Sequence, residues 1–156
     1  MSERKWIGWD RAASGPWSGA PTPTPLLTVA SAAGISVADD AYTADGSPVA
    51  DRDWPFVFDA DAANSTYGAG KWELRLAYAV KVDAGTGYLR LRQVDGTATM
   101  GNEASLTATS LTAAVGAAAT TNLPASGVVR CRVQAKVTTG NTLTIESLRV
   151  EARAKE

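Results

Sequence analysis

The clearest pattern of hydrophobic and polar positions lies between residues 71 and 94. From Trp72 to Val82, apolar side chains occupy every second position, and most of the residues between them are polar. A period of two over this length predicts a half-buried β-strand, because successive side chains of a strand point to opposite faces. The pattern stops at the glycine-containing run 83–87 and restarts with Leu89 and Leu91. We therefore predict a β-hairpin whose apolar face is covered by a second sheet.

The same alternation continues elsewhere in the chain. A strand is predicted around Phe56 and Phe58, and Pro55 places it at the edge of a sheet or at a strand start. Apolar positions alternate over 129–137 and again over 143–152. Within the second run, Leu148 and Val150 are shifted by one residue relative to Leu143, which predicts a β-bulge near Glu146-Ser147. About seven to nine strands at this spacing predict an all-β, antiparallel sandwich over residues 26–156. The predicted core positions are Trp72, Leu74, Leu76, Tyr78, Val80, Leu89, Leu91, Cys131, Val133 and Val150.

Residues 1–25 are predicted to form an extended N-terminal arm. Trp6, Trp9 and Trp17 lie there among glycine, serine and proline residues, and Pro21-Thr22-Pro23-Thr24-Pro25 favours extended polyproline geometry. Three tryptophans in so short a segment cannot all bury one another. They either pack against their own domain or dock on a neighbouring subunit, where aromatic residues are favoured anchors. We take these three tryptophans as candidate partner-binding residues.

Composition and charge narrow the classes of partner. A formal net charge of −1 over 156 residues argues against a nucleic-acid partner, which would call for a basic stripe. No apolar run approaches the ~20 residues of a membrane-spanning helix. Arg4 and Lys5 are followed by no apolar run of the kind found in a secretory signal peptide, so we expect synthesis in the cytoplasm without export.

Candidate catalytic and metal-binding residues are few. The chain has no histidine, the commonest general base and metal ligand, and one cysteine. Cys131 lies on the apolar phase of its strand, so we interpret it as a core residue. Asp59, Asp61 and Asn64 offer the oxygen ligands that calcium prefers, but they lack the spacing of a calcium loop. We expect residues 59–70 to form a solvated polar loop, and we expect no enzyme activity, metal or cofactor.

The polar phases of the strands carry many charges. Two interpretations are open: a solvated, mutually compensating surface, or a surface that faces another subunit or a capsid. Glu73 could pair with an aspartate as in a glycosidase, but no constellation supports a hydrolase. The cations expected on this exposed face are Arg75, Lys81, Arg90, Arg92, Arg130, Arg132, Lys136, Arg149 and Arg153, and the opposing anions are Glu73, Glu146 and Glu151.

Two segments carry a resemblance to a known class of proteins. WELRLAYAVKVDAGTGYLRLRQVDGT, within 71–97, and VVRCRVQAKVTTGNTLTIESLRVEARA, within 128–154, resemble β-sandwich domains of tailed-bacteriophage virion proteins, such as capsid decoration proteins, head spikes and fibres. The resemblance implies a jelly-roll-like sandwich, often trimeric, that is attached to the capsid through an extended arm. Carbohydrate-binding modules share this architecture, and fold alone does not separate the two.

The resulting expectation is a non-enzymatic structural protein of a phage or phage-like virion, on the capsid surface or in a spike or fibre base. Its partners would be other virion proteins and further copies of itself, and the arm would make the assembly contacts. The alternative is a carbohydrate-binding module for host or glycan attachment. In that case exposed aromatic rings would stack on sugars, and the candidate ligand-binding residues are Tyr42, Tyr67 and Tyr88.

Overall fold

The computed structural model describes residues 22–44, 48–94 and 98–155. The predicted partner-binding residues Trp6, Trp9 and Trp17 lie outside them. In chain order the described elements are β1 (Thr24–Val37), β2 (Asp53–Asp59), α1 (Ala60–Tyr67), β3 (Trp72–Val82), β4 (Gly87–Gln93), β5 (Thr99–Leu106), β6 (Thr112–Val115), β7 (Val128–Val137) and β8 (Leu143–Ala154). The first strand thus includes the last two residues of the predicted arm.

The strands form two sheets that pack face to face. The first sheet has the order β1-β8-β3-β6, and the second sheet has the order β2-β7-β4-β5. All the strand pairings within them are antiparallel. The predicted all-β, antiparallel sandwich is therefore confirmed.

The core lies between the two sheets, where their apolar phases meet. All the predicted core positions are buried except Tyr78, which is partly exposed. Phe58 from the second sheet meets Trp72 from the first, with ring centroids 5.0 Å apart at 56°. A fully buried side chain of the Leu or Phe class contributes roughly 1.5–3 kcal/mol, so this interface dominates the stability of the fold.

The predicted hairpin over residues 71–94 is wrong. β3 pairs with β8 and β6 in the first sheet, whereas β4 pairs with β7 and β5 in the second. The connection between them therefore passes from one sheet to the other at an exposed end of the sandwich, and Gly85 turns there with φ +69° where a Cβ would lie 2.1 Å from Thr138 Oγ1. Two strands that face each other across a core show the same alternation as two strands of a hairpin, so the pattern could not distinguish them.

The predicted polar loop over residues 59–70 is also wrong, because it contains α1. Asp59 is the N-cap, and its Oδ1 accepts a hydrogen bond of 3.0 Å from the backbone N–H of Ala62. Ala60 and Ala63 bury the inner side of the helix. A helix of eight residues whose buried residues are two alanines shows no long apolar period, so the sequence pattern did not predict it.

Two finer predictions are confirmed. β2 is an edge strand, so Pro55 interrupts no central ladder. The ladder between β3 and β8 shifts between Ala79, which pairs with Ser147, and Val80, which pairs with Ile145. Glu146 is the extra residue of this bulge, at the predicted position.

Candidate functional site

The two sheets differ in what covers their outer faces. Residues 38–44 and 48–52, which we call the strap, lie over the outer face of the second sheet and contact β7, β4 and β5. We call that surface the strapped face. The outer face of the first sheet, which we call the open face, presents Val115 with 56% of its surface exposed. These two faces are the candidate interaction surfaces of the described chain.

A buried ion pair anchors the strap. Asp53 accepts hydrogen bonds from Thr43 Oγ1 at 2.5 and 2.7 Å and from the backbone N–H of Val49 at 2.9 Å. Arg132 Nη1 lies 3.2 Å from Asp53 Oδ2, and its Nη2 donates to the Ala44 carbonyl at 3.2 Å. The side chains of the pair are at most 1% exposed. A buried charge is tolerated only when it is paired and hydrogen-bonded, and this network meets that condition.

The burial of Arg132 corrects the prediction that it lies on an exposed face. Its strand position does point away from the core, but the strap covers it. Gln134, on the same face of β7, is buried in the same way and donates to the Thr43 carbonyl at 3.1 Å. The strap therefore turns the centre of a polar sheet face into a second buried layer.

Tyr42 of the strap contacts β4 and β5. Its hydroxyl donates to Glu103 Oε2 at 2.5 Å, and the Arg90 guanidinium lies 3.9 Å from its ring centroid. Burial and the neighbouring Glu103 carboxylate raise the pKa of Tyr42 above its ordinary value, and the positive charge of Arg90 opposes them. Cations over an aromatic face are attracted to it, so the ring of Tyr42 holds the strap to β4 and β5.

The structure brings two of the three candidate tyrosines together. Lys136 Nζ lies 4.7 Å from the ring centroid of Tyr42 and 5.0 Å from that of Tyr88. The half-buried Tyr88 therefore borders the strap on the outer face of β4. This aromatic and cationic cluster is the part of the strapped face that matches the predicted ligand-binding residues.

Tyr67 lies apart from this cluster, at the end of α1. Its hydroxyl lies 3.0 Å from the carbonyl oxygens of Thr22 and Ala152 and 2.9 Å from Thr24 Oγ1. It therefore ties the first described residues to the end of β8. Tyr67 fixes where the chain enters the sandwich, and its hydroxyl is engaged in that contact.

The open face carries a shallow groove of about 460 Å³ that crosses all four strands of the first sheet. Thr28, Arg149, Ala77 and Val115 lie side by side in one row across the sheet. The next row contains Ala30, Ser147, Ala79 and Ala113. The small side chains at the centre leave the groove flat, while Arg149 and Val115 project beside it.

Ion pairs border the groove toward the N-terminal end of β3. Arg75 pairs with Glu151 directly opposite on β8, and Arg153 Nη2 lies 2.8 Å from Glu73 Oε2. Both glutamates are 7% exposed. The charges of these two pairs compensate one another across the strands, but Glu73 and Glu151 are buried, which corrects the prediction that they lie on a solvated, exposed face.

A second groove of about 530 Å³ lies beside β2 on the strapped face, where Pro48, Pro55, Val57, Val94 and Arg130 line it. Val57 is 59% exposed. Cys131 touches this groove, but its side chain is 1% exposed, so its prediction as a core residue is confirmed. The groove offers apolar contact area beside an edge strand.

The described residues 22–44, 48–94 and 98–155 contain no group of three or more histidine, cysteine, aspartate or glutamate side chains that could hold a metal ion. Asp59 caps α1, and Asn64 Oδ1 accepts a hydrogen bond of 2.8 Å from the indole N–H of Trp72. Asp59 and Asn64, two of the three residues considered as sources of calcium ligands, thus have structural partners. Over the same part of the chain, no helix is long and apolar enough to cross a membrane.

Sequence reasoning missed Asp53, Thr43 and Gln134. Asp53 and Arg132 are 79 positions apart, and neither stands in a local motif. The local pattern gave no signal of this burial, because Arg132 and Gln134 lie on the polar phase of their strand, as solvent-exposed residues do. Comparison with known proteins adds nothing to the site, because no protein-family model, curated protein or solved structure matches the chain.

Proposed function

We propose that this chain is a non-enzymatic structural protein of a phage or phage-like virion, located on the capsid surface or in a spike or fibre base. The observation that carries the proposal is the pairing scheme of the strands. β1 neighbours β8, β2 neighbours β7, β3 neighbours β6, and β4 neighbours β5. This scheme supports a jelly-roll-like arrangement, in which a long antiparallel ribbon is folded at β4–β5 and wrapped into two sheets. Eight-stranded jelly rolls recur in viral capsid proteins.

The N-terminal arm, residues 1–25, is the proposed assembly element. Tyr67 fixes its entry at one end of the sandwich, beside α1. Pro21, Pro23 and Pro25 favour an extended chain at this point, and stiffness lowers the ordering cost of binding a partner. Trp6, Trp9 and Trp17 then supply aromatic anchors for contacts with other virion proteins or further copies of the chain, for example in a trimer.

The test is co-sedimentation with the particle. Virions or phage-like particles would be purified by density gradient from cells that make this protein, and the gradient fractions would be probed for it. We expect the chain in the particle fraction and sandwich-sized density on the outside of the particle by electron microscopy. Protein without residues 1–20 should remain in the soluble fraction. Parent protein that never sediments with particles would overturn the proposal.

The second candidate function is glycan attachment by a carbohydrate-binding module. It is favoured by the cluster of Tyr42, Tyr88 and Lys136 on the strapped face, where an aromatic ring and an ammonium group lie side by side. A glycan array with the parent protein should then show binding that Tyr88→Ala removes. Val57→Ala, on the same sheet face but away from the cluster, should retain it. An array without any binding would reject this candidate.

A further inference from the structure

We infer that the groove on the open face binds the tryptophan-rich arm of a second copy of this chain. The inference rests on the assembly role proposed above for the arm, but it does not depend on any particle. It names both the partner and the surface. The occupant is the segment 1–21, which precedes the described residues.

The first argument is the unequal cover of the two sheets. The strapped face is covered by its own chain, which buries Arg132 and Gln134. On the open face, Val115 of the edge strand β6 is 56% exposed, and the side chain of Arg149 on β8 is 53% exposed. The groove between them is lined largely by alanine and valine side chains. Apolar surface of this kind, rimmed by polar groups, is typical of an interaction site.

The second argument is chemical fit. Small side chains allow a flat indole ring to approach the sheet closely and to bury much of its surface. A guanidinium group beside the groove can lie against an indole face, and tryptophan is the aromatic residue that favours this contact most. Arg149 holds that position, with its Nε 3.6 Å from Glu151 Oε2. Three of the five tryptophans of the chain lie in the segment 1–21.

The third argument is the direction in which the arm leaves the sandwich. Tyr67 ties Thr22 and Thr24 to the Ala152 end of the sheet. The centre of the groove lies at the level of Val29, five residues farther along β1, which is about 17 Å back into the sheet. To fill its own groove, the arm would have to reverse beside a proline-rich stretch that favours extended chain. A groove on a neighbouring copy requires no such reversal.

The arm is long enough to reach the groove of a second copy, because 21 residues of extended chain span up to about 70 Å. The contact joins two different surfaces, the arm and the open face. It therefore closes either by reciprocal exchange in a dimer or by a ring of three or more copies.

The test is a complementation experiment in solution. One protein lacks residues 1–20 and keeps the groove. The other carries Val115→Glu, which places a charge in the groove and keeps the arm. A charge buried without a partner should weaken docking by about a hundredfold. Analytical ultracentrifugation should show the parent as an oligomer of the 16.2 kDa chain and each altered protein alone as a monomer.

The mixture of the two altered proteins decides the outcome. A one-to-one complex of about twice the chain mass, formed only on mixing, is the expected result. Two monomers in the mixture would overturn the inference, as would a parent protein that is itself monomeric. Val57→Glu, a charge at a comparably exposed valine on the other sheet, should leave the parent oligomer intact.

The folding of each variant and the binding of the parent protein to particles are measured separately. Circular dichroism melting confirms that each variant is folded, and Ala113→Glu replaces Val115→Glu if the latter melts early. If the mixture fails to form a complex while the parent still sediments with particles, the arm binds another virion protein. The proposed function then stands and this inference falls.

Discussion

Replacement of Asp53 by alanine tests whether the buried ion pair holds the strap. Asp53→Ala removes the carboxylate 3.2 Å from Arg132 Nη1, and it removes the acceptor of Thr43 Oγ1 and of the Val49 N–H. Removing one partner of a buried pair costs about 3–5 kcal/mol, because the remaining charge is left in a dry environment. Small domains are stable by about 5–15 kcal/mol in total. We therefore expect the free energy of unfolding to fall by a large fraction.

The magnitude is measured by urea denaturation followed by circular dichroism. A double replacement, Asp53→Leu with Arg132→Met, removes both charges and keeps apolar volume. It should cost less than Asp53→Ala, because apolar substitutes for a buried pair are often nearly neutral. The single replacements Asp53→Leu and Arg132→Met complete the double-mutant cycle, and the coupling energy between the two sites should be at least about 1 kcal/mol.

The control is Asp40→Ala, in the same strap. Asp40 is exposed and accepts a hydrogen bond of 2.7 Å from Thr139 Oγ1, so its loss should change the stability by no more than about 0.5 kcal/mol. If Asp53→Ala costs less than about 1 kcal/mol and the coupling is near zero, the ion pair does not hold the strap.

Three further predictions concern other parts of the sandwich. Gly101→Ala should destabilise the protein much more than Gly140→Ala in thermal melts, because both glycines have positive φ but a Cβ at Gly101 would meet the Ala119 backbone at 2.7 Å, whereas nothing lies within 4 Å at Gly140. Asp59→Ala should cost about 1 kcal/mol through loss of the helix cap, equally with and without a chelator; a loss seen with calcium present and absent in chelator would make Asp59 a calcium ligand. The pKa of Tyr42 is raised in the folded state, so its ionisation favours unfolding, and stability should fall as pH rises above the ordinary value of 10.0. Urea titrations at about pH 9 and about pH 11 should show a smaller fall for Tyr42→Phe than for the parent, and equal falls would contradict the assignment.

Local features could be predicted from the sequence because each depends on side-chain alternation or on a single residue type. The period of two predicted most of the strands, and nearly all the positions that it placed in the core are buried. Pro55 indicated an edge because it lacks a backbone donor, and the phase shift near Glu146 indicated a bulge because one extra residue reverses the side-chain direction. Tyr78 was the exception, since it lies on the apolar phase of β3 but is partly exposed.

The candidate surfaces could be predicted only in part. The sequence indicates Tyr42 and Tyr88 as candidate ligand-binding residues because they are aromatic residues outside the core, and Lys136 lies within 5.0 Å of both rings. Tyr42 and Tyr88 lie close together because the strap carries Tyr42 over the sheet, and no local sequence pattern indicated where the strap runs. Tyr67 was chosen for the same reason, yet the fold uses its hydroxyl to fix the chain entry.

By itself, the sequence determined that this chain is an all-β protein with an alternating core, because alternation acts over a few neighbouring residues. The tertiary structure decided which strands share a sheet, and it placed β3 and β4 on opposite sides of the core. It also decided that Arg132, on the polar phase of β7, is buried against a carboxylate 79 positions away. Both outcomes depend on contacts between distant segments, and a period of two is the same whichever partner a strand finds.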